Sequence, residues 1–484
     1  CPLFQFEIVE QGNEEKVAAA FDVRGNLLVL LCETILGLPF EGYRALMAWT
    51  TTVYGKELFV ALLVKPLVLF EDLATFRAST KADRSVNFYL AANAFLMSPS
   101  TKRNLLQVEN QIQMVQAAQE GGVSYDPATR EFMFKPYFVL AIDRKYILQQ
   151  TLQAVASASS GDLQKSLKVV FKGEDGVDAG GVTKEFFQLL VQKLFDVNTG
   201  MWKTENQHEY WFNSDCTWND DGFYLVGVLV GLALYNSVLL DIHFPPVVYR
   251  KLLGLPLGLE DMVDAVVRTG LKSLLEYEGD DVEDIFCLDF EVAWTVLGQE
   301  RKKELKPGGA SIPVTSSNKE EYVMLYVKWL LVDSVESQYA EFERGFMRVM
   351  EGSSLDLLHP DELELLVVGT PELDFMALEK SANYEGGFSA EDVVVKNLWK
   401  WVQSSTLETQ LKFLKFCTGS GKAPIGGLGK LPFLVQRAGP DSEQLPTSHT
   451  CFNTLILPDY GEDHDKLDRL MSRAVLECEG FGLQ

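Results

Sequence analysis

One uncharged stretch constrains the fold of this chain more than any other feature of its sequence. Residues 222–240 read GFYLVGVLVGLALYNSVLL and contain no charged side chain, which is close to the length of an apolar segment that spans a bilayer. The stretch holds Asn236 and several glycines, and it continues directly into Asp241-Ile242-His243-Phe244-Pro245. We therefore predict a helix buried in the core of a globular domain rather than a membrane span.

Length and charge limit the classes of protein that this chain can belong to. Its 484 residues are enough for two to four domains with substantial cores. The 43 Lys and Arg against 68 Asp and Glu give a net charge of −25, which argues against nucleic acid or an anionic membrane as the main partner. A solvated acidic surface that only keeps the chain soluble is the simpler reading of this charge. The chain begins at Cys1 rather than at a methionine, so we expect a fragment or a processed product, and no signal peptide is visible.

The cysteines and histidines predict neither a disulfide framework nor a metal site. The cysteines are odd in number, scattered, and never in CxxC pairs, and the five histidines form no HExxH pattern. We expect a reducing compartment, no metal and no cofactor. The cysteines are Cys1, Cys32, Cys216, Cys287, Cys417, Cys451 and Cys478.

Residues 1 to about 130 have the apolar spacing of helices. They contain no glycine-rich phosphate loop and no catalytic cluster, so a helical scaffold or a substrate-recruiting extension is the default interpretation. The turn-rich segment Glu120–Arg130 marks the expected boundary. The predicted helices are Leu27–Leu38, Tyr43–Val53, Lys56–Lys65, Asn87–Leu96 and Lys102–Gln119.

A glycine-rich passage follows the predicted strand Ser166–Phe171 and precedes a helix that starts near Thr183. Such a passage invites assignment as a phosphate-binding loop. However, no Gly-Lys-Ser/Thr follows, and Asp175 and Asp178 would repel phosphate. We therefore interpret its glycines, at 173, 176, 180 and 181, as structural turns.

The rest of the chain alternates helical and strand patterns. Asp261–Gly279 is an amphipathic helical stretch, Asp280–Phe290 is acidic and turns to strand, and residues 319–350 form long helical material. Pro360 opens a further helix, and the polar, glycine-rich Ser381–Gly387 is interpreted as a linker between two packed regions. The remaining predicted elements are the helices Ala390–Gln403, Thr406–Phe416 and Lys466–Leu476 and the strands Phe433–Ala438 and Thr454–Leu457.

The strongest chemical signal is the sequence LPTSHTCFN at Leu445–Asn453. Its first six residues have loop chemistry, and the run after Cys451 is β-rich until Pro458 stops it. A thiol at the mouth of a polar loop suits a reactive nucleophile better than a packed core residue, because the thiolate is the reactive form.

Several separated motifs resemble those of the HECT ubiquitin ligases. They are LPTSHTCFN, GKAPIGGLGKL at Gly421–Leu431, the terminal GFGLQ, the entry motif KGEDGVDAGGVTKEFF, and the pair LxGLAxYN and LDxHFP around the uncharged stretch. The resemblance is dense from about Leu167 to the last residue. It is strongest to the subfamily of the papillomavirus-oncoprotein-associated ligase of Angelman syndrome.

The resemblance implies an α+β fold, a bilobal HECT domain preceded by a helical region. A helical N-terminal extension would occupy residues 1–130, and a large, mostly helical N-lobe that binds the ubiquitin-conjugating enzyme would occupy 131–381. A hinge at 382–387, with Tyr384, Glu385, Gly386 and Gly387, would lead to a small α/β C-lobe at 388–484 that carries the catalytic cysteine. Freedom at such a hinge matters to the family's mechanism.

The resemblance also implies the reaction and the partners. Cys451 would accept ubiquitin from a conjugating enzyme as a thioester and transfer it to a substrate lysine, marking proteins for proteasomal degradation. The implied partners are ubiquitin, the conjugating enzyme and protein substrates, with no nucleic acid, no membrane insertion and a homo-oligomer left open. The expected location is the cytoplasm, with the nucleus as a second compartment.

Three residues near the nucleophile and the tail carry over from the family pattern. His449 and Thr450 would orient the thioester, and His449 would also polarise the thiol, although a purely structural role is as plausible for a lone histidine. If the loop is strand-like, His449 and Cys451 face the same side. Phe481, the fourth residue from the end, would dock as an aromatic anchor rather than belong to a frayed terminus.

A conjugating-enzyme groove is also carried over. Val267 and Leu271 lie one helical turn apart, as do Tyr322 and Tyr326. Phe286 and Leu288 are expected to alternate onto one strand face. All six residues suit a binding surface, and a place in the core is the alternative. Two departures, Lys422 in place of arginine and Val267 in place of leucine, affect the expected loop geometry and partner affinity rather than activity.

Two other functions compete with a ligase. A cysteine hydrolase acting on ubiquitin conjugates needs a distant histidine and an acid or amide, with the cysteine usually at a helix N-terminus. A catalytically idle helical scaffold is the other. The strand pattern after Cys451 argues against the hydrolase, and the intact nucleophile loop and tail argue against the scaffold.

Overall fold

The structure is a computed structural model of the chain. It describes residues 73–80, 91, 94, 97–120, 123–126, 131–134, 136–174, 181–205, 209–216, 221–296, 298–352 and 354–477. The predicted helices between residues 27 and 65, nearly all of Asn87–Leu96, and Phe481 lie outside these residues.

The chain divides into two compact units, Cys1–Val108 and Glu109–Gln484. The first unit includes a short helix at residues 73–78. Helix α1 (Pro99–Glu120) confirms the predicted helix Lys102–Gln119. The second unit begins before the expected boundary because its first residues are bonded within it: Asn110 Nδ2 donates to Tyr235 O at 3.4 Å.

The expected boundary segment contains secondary structure of its own. Strand β1 (Val123–Asp126) pairs antiparallel with β2 (Glu131–Phe134). Beyond this hairpin, the second unit contains two lobes. We call residues 109–368 the first lobe and residues 375–477 the second lobe.

The first lobe begins with two parallel strands, β3 (Tyr137–Ile142) and β4 (Ser166–Phe171), joined by helices α2 (Ile147–Ser157) and α3 (Ser160–Leu163). Strand β4 and the following helix confirm the predicted strand-to-helix passage. The later elements of this lobe are α4 (Gly181–Leu194), β5 (Trp202–Glu205), β6 (Glu209–Phe212), α5 (Asp221–Tyr235), α6 (Pro246–Leu252), α7 (Ala265–Glu276), α8 (Val282–Phe286), β7 (Glu291–Val296), β8 (Gln299–Glu304), α9 (Lys319–Leu331), α10 (Glu336–Met350) and α11 (Pro360–Val368).

The uncharged stretch forms the buried centre of the first lobe. Every residue of α5 from Phe223 to Tyr235 is buried, which confirms the predicted core helix. Among the residues that the structure describes, no helix is long and apolar enough to cross a membrane. Helix α5 packs against α10 where two glycines meet the facing backbone: a Cβ added at Gly227 would lie 1.9 Å from Phe342 O, and one added at Gly345 would lie 2.1 Å from Tyr224 O.

The predicted strand in Asp280–Phe290 is wrong. The segment forms the short helix α8, whose first turn carries Glu283 and Asp284, and acidic side chains stabilise a helix N-terminus. Cys287 then adopts a left-handed conformation with φ 48°, and strand β7 begins only at Glu291. Phe286 therefore ends a helix, and it does not share a strand face with Leu288.

The second lobe is built on a four-stranded sheet with the order β11 (Thr447–His449), β12 (Thr454–Leu457), β10 (Leu434–Arg437) and β9 (Asn383–Glu385). Its helices confirm the predicted ones closely, as do its two central strands. Together with the mostly helical first lobe, this sheet confirms the expected α+β, two-lobed class. The elements are α12 (Phe375–Ser381), β9 (Asn383–Glu385), α13 (Val393–Ser404), α14 (Leu407–Thr418), β10 (Leu434–Arg437), β11 (Thr447–His449), β12 (Thr454–Leu457) and α15 (His464–Glu477).

The segment expected to be a hinge belongs to this sheet. Tyr384 lies in β9 opposite Val435 of the parallel strand β10, and its hydroxyl accepts a hydrogen bond of 2.9 Å from Trp399 Nε1. The residues Glu385, Gly386 and Gly387 continue along the same edge, where a Cβ added at Gly386 would lie 3.1 Å from the backbone of Arg437. A free linker at 382–387 is therefore a wrong prediction, because the segment pairs with a strand about fifty residues later.

The chain passes from one lobe to the other earlier than expected. Helix α11 ends at Gly369, which has φ 82°, and Phe375 already belongs to the core of the second lobe. Between them, Thr370 forms an antiparallel bridge with Ala423. The connection between the lobes is therefore residues 369–374.

Candidate active site

The predicted nucleophile lies in a tight turn between two strands at the edge of the second lobe. Strands β11 and β12 are antiparallel, with His449 opposite Thr454, and a 3-10 turn at Thr450–Phe452 joins them. Asn453 closes the turn in a left-handed conformation with φ 49°, which asparagine tolerates better than most residues. Cys451 is the middle residue of this turn.

The helical form of the turn changes the expected relation between His449 and Cys451. In a strand, residues two apart face the same side, but a 3-10 helix has three residues per turn, so such residues point in different directions. The expectation of strand alternation through residues 449–451 therefore does not apply to this turn. His449 is exposed at the end of β11, and the side chain of Phe452 is 58% exposed.

Hydrogen bonds to the body of the second lobe hold this turn on both sides. Before the turn, Ser448 Oγ donates to Phe416 O at 2.6 Å. After it, Asn453 Nδ2 donates to Pro432 O at 3.0 Å, and Asn453 O accepts from Leu434 N at 3.1 Å. The turn therefore projects from a rigid base, since Leu455 immediately beyond is fully buried in the core.

A side chain of the first lobe also contacts the turn. Lys184 Nζ on α4 donates to Thr450 O at 2.8 Å, to Asn453 Oδ1 at 3.0 Å and to Thr418 O at 3.2 Å. One helical turn later, Gln188 Nε2 donates to Gly419 O. Neither residue was predicted to have a role from the sequence. Their spacing was a usable signal, because they form an i, i+4 polar pair on a helix whose other faces are largely apolar.

The six residues of the predicted conjugating-enzyme groove divide into core and surface. Leu271 and Tyr322 are buried, with exposures of 5% and 2%, so they support the surface from below. The side chains of Val267, Phe286, Leu288 and Tyr326 are half-buried.

Ring contacts form two separate aromatic pairs among these residues and their neighbours. The Tyr322 and Tyr326 ring centroids lie 5.9 Å apart, and Phe286 packs on Tyr277 at 5.6 Å. Burial raises the pKa of Tyr322 to about 12 and also raises the pKa of Tyr326. Both phenols are therefore neutral at ordinary pH. Three exposed apolar neighbours of the groove residues were not predicted from the sequence: Val266, Ile285 and Met324.

Lys422, which stands where the family often has arginine, lies beside the connection between the lobes. The adjacent Ala423 forms the bridge with Thr370. Burial lowers the pKa of Lys422, while the carboxylates of Asp241 and Glu364 act in the opposite direction. Both of these carboxylates belong to the first lobe, so Lys422 of the second lobe interacts electrostatically with the first lobe.

No resident metal site was found within the described part of the chain, where no three His, Cys, Asp or Glu residues are grouped to hold an ion. Among the described cysteines, Cys216, Cys287 and Cys417 are not in disulfides. This arrangement suits thiol chemistry at a fixed backbone position, because Cys451 belongs to a turn that is bordered by exposed residues and that accepts hydrogen bonds from a lysine of the other lobe.

Comparison with known proteins gives consistent matches. Residues 188–484 match the family described as HECT-domain (ubiquitin-transferase). The chain is 37% identical over 434 residues to "Probable E3 ubiquitin-protein ligase HECTD2" of Mus musculus, which covers 86% of this chain and 55% of that protein. It is 36% identical over 405 residues to "Probable E3 ubiquitin-protein ligase HERC3" of Homo sapiens, covering 81% of this chain and 38% of that protein.

A fungal relative extends the similarity. The chain is 32% identical over 443 residues to "Probable E3 ubiquitin-protein ligase HUL4" of Eremothecium gossypii, covering 86% of this chain and 52% of that protein. The chain thus spans about half the length, or less, of the curated relatives it matches.

Proposed function

The chain belongs to the HECT-domain (ubiquitin-transferase) family, and from that premise we propose that it is a ubiquitin ligase with Cys451 as its acceptor. The observation that carries the proposal is the position of Cys451 in a rigid turn between β11 and β12, bordered by the exposed His449 and Phe452. A nucleophile needs such a fixed position. A hydrolase is less well supported, because the turn leads into a strand rather than into the N-terminus of an α-helix.

The proposed reaction consists of two acyl transfers. The Cys451 thiolate attacks the thioester carbonyl that joins ubiquitin to the conjugating enzyme; a new carbon–sulfur bond forms, and the thiolate of the conjugating enzyme leaves. A substrate lysine amine then attacks the new thioester, an amide forms, the Cys451 thiolate leaves, and the amine gives up a proton. Neither step needs a metal or a redox cofactor.

The lobes divide this work in the proposal. The half-buried surface of Val267, Phe286, Leu288 and Tyr326 binds the conjugating enzyme, since partly exposed aromatic and aliphatic anchors are typical of binding surfaces. Leu271 and Tyr322 shape it from the core. In the second lobe, Thr450 and His449 orient the thioester.

Several finer predictions go with this proposal. Phe481 docks as an aromatic anchor, the modified substrates are sent to proteasomal degradation, and the protein works in the cytoplasm and the nucleus. The similarity to the subfamily of the papillomavirus-oncoprotein-associated ligase also stays a prediction, because the relatives named above carry other names. A homo-oligomer remains open.

A pulse experiment tests the proposal. The protein is mixed with a panel of conjugating enzymes charged with ubiquitin, and the products are separated by non-reducing electrophoresis. Wild type and the control Cys216→Ser are expected to form an adduct that a thiol reductant removes. Cys451→Ser is expected to form a reductant-resistant ester or no adduct.

Other outcomes would contradict the proposal. A reducible adduct on Cys451→Ala would show that the acceptor is another residue. The absence of any adduct on wild type would favour the idle scaffold. Cleavage of a ubiquitin–amide substrate by wild type, lost in Cys451→Ala, would favour the hydrolase.

A further inference from the structure

One lysine of the first lobe binds the backbone next to the proposed nucleophile. Lys184 Nζ lies 2.8 Å from Thr450 O and 3.0 Å from Asn453 Oδ1, so it contacts both ends of the turn that holds Cys451. Its third acceptor, Thr418 O at 3.2 Å, lies on a different segment of the second lobe. A single ammonium thus joins helix α4 to two separate pieces of the other lobe.

The chemistry of these acceptors favours a cation. Thr418 is the last residue of α14, and its carbonyl belongs to the helix end that carries partial negative charge. The ammonium has three donors, and each of these oxygens can accept a hydrogen bond from it. Lys184 is half-buried, so solvent and salt screen these bonds less than they would screen bonds on an open surface.

The bond to Thr450 O acts on the nucleophile through the peptide plane. The carbonyl of Thr450 and the N–H of Cys451 belong to one planar trans peptide unit. Fixing the carbonyl oxygen therefore restricts the orientation of the Cys451 backbone. The bond to Asn453 Oδ1 restrains the other end of the same turn, so one side chain of the first lobe contacts the turn on both sides of Cys451.

We infer that Lys184 is a positioning residue for the acceptor cysteine, an inference that rests on the proposed ligase function. It holds the turn at Thr450–Asn453 against α4 and so sets the orientation in which Cys451 meets the incoming thioester. Gln188, one helical turn later, supports the same contact through Gly419 O. Loss of hydrogen bonds to a charged group typically lowers an equilibrium constant by about tenfold or more.

The test compares three substitutions on one helix. Lys184→Met keeps the length of the side chain but removes its charge and donors. Lys184→Arg restores charge and donors. Lys193→Met is the matched control, because Lys193 is exposed on the last turn of the same helix and the charge change is identical.

The readout is the single-turnover rate of ubiquitin loading as the concentration of charged conjugating enzyme is varied. Lys184→Met is expected to lower the maximal loading rate about tenfold with an unchanged half-saturating concentration, because the predicted enzyme-binding surface lies on other elements. Lys184→Arg is expected to recover most of the rate, and Lys193→Met to match wild type. The inference would be overturned if Lys184→Met loaded at the wild-type rate or changed only the half-saturating concentration. It would also be overturned if Lys184→Arg did not recover the rate.

A second measurement separates this inference from the proposed function. Amide hydrogen exchange is followed in the intact chain, with thermal melting as a check that each variant is folded. Lys184→Met is expected to accelerate exchange at residues 418–420 and 450–453 but not within β10, and unchanged exchange at the turn would overturn the contact. If wild type forms no adduct with any charged enzyme, the ligase proposal fails, whereas the exchange result still decides whether Lys184 holds the turn.

Discussion

Replacing Gly227 by alanine tests the closest contact in the first lobe. In α5, a Cβ at this position would lie 1.9 Å from Phe342 O and 2.8 Å from Phe346 N, both backbone atoms of α10. Backbone atoms cannot rotate away as a side chain can. The contact is reciprocal, because Gly345 of α10 meets Tyr224 O of α5 in the same way.

The size of the effect follows from the distances. A carbon–oxygen contact at a helix interface is ordinarily about 3.3 Å or longer, so the two helices must move apart by about 1.4 Å. That movement loosens the packing of Phe342 and Phe346, which are fully buried. Overpacking costs about 1–3 kcal/mol when side chains can adjust, and we expect about 3 kcal/mol here because backbone must move. The better helix propensity of alanine offsets about 1 kcal/mol at most.

Urea unfolding and thermal melting measure this effect against a matched control. At about 2–4 °C per kcal/mol for a domain of this size, Gly227→Ala is expected to lower Tm by roughly 4–12 °C. The control is Gly270→Ala on α7, where a Cβ meets nothing within 4 Å and a stabilisation of about 0.5–1 kcal/mol is expected. A Gly227→Ala protein as stable as wild type would refute the close backbone contact.

Two further predictions concern a buried lysine and the conjugating-enzyme surface. Burial lowers the pKa of Lys251 to about 8, so between pH 8 and about 10.4 the unfolded chain binds more protons than the folded one. In urea unfolding at several pH values, the free energy of unfolding of wild type should therefore rise over that range relative to that of Lys251→Met. A difference between the two proteins that does not change with pH would contradict the lowered pKa. Phe286→Ala should raise the half-saturating concentration of charged conjugating enzyme in the loading assay about tenfold. The control Val197→Ala should leave this concentration unchanged, because Val197 is 84% exposed elsewhere in the first lobe. Equal effects of the two substitutions would argue against the predicted groove.

Elements with a strong local pattern were predictable from sequence alone. The buried helix α5 follows from a long run of apolar residues without charge, and α11 begins at Pro360, where proline suits the first helical turn. The strand β4 has the predicted bounds, Ser166–Phe171. In each case the residues that determine the structure are neighbours in the chain.

The wrong predictions fail for two different reasons, a distant pairing partner in one case and a local backbone conformation in the other. The polar, glycine-rich residues 382–387 resemble a linker, but β9 forms there because Asn383 pairs with Leu434 of β10. The spacing of Phe286 and Leu288 predicted a strand, but Phe286 ends a short helix and Cys287 after it has a left-handed backbone conformation. Local composition cannot reveal a pairing partner far along the chain or the packing that selects one backbone conformation over another.

The candidate site shows the same division. The sequence by itself made Cys451 the candidate nucleophile, because this residue and the polar loop around it are contiguous in the chain and the family resemblance rests on the same residues. Only the tertiary structure revealed the hydrogen bond from Lys184 Nζ to Thr450 O, which joins residues 266 positions apart in the sequence. It also showed that residues 369–374, rather than residues 382–387, connect the two lobes. Contacts between lobes are set by how two finished cores meet, and no local pattern encodes that geometry.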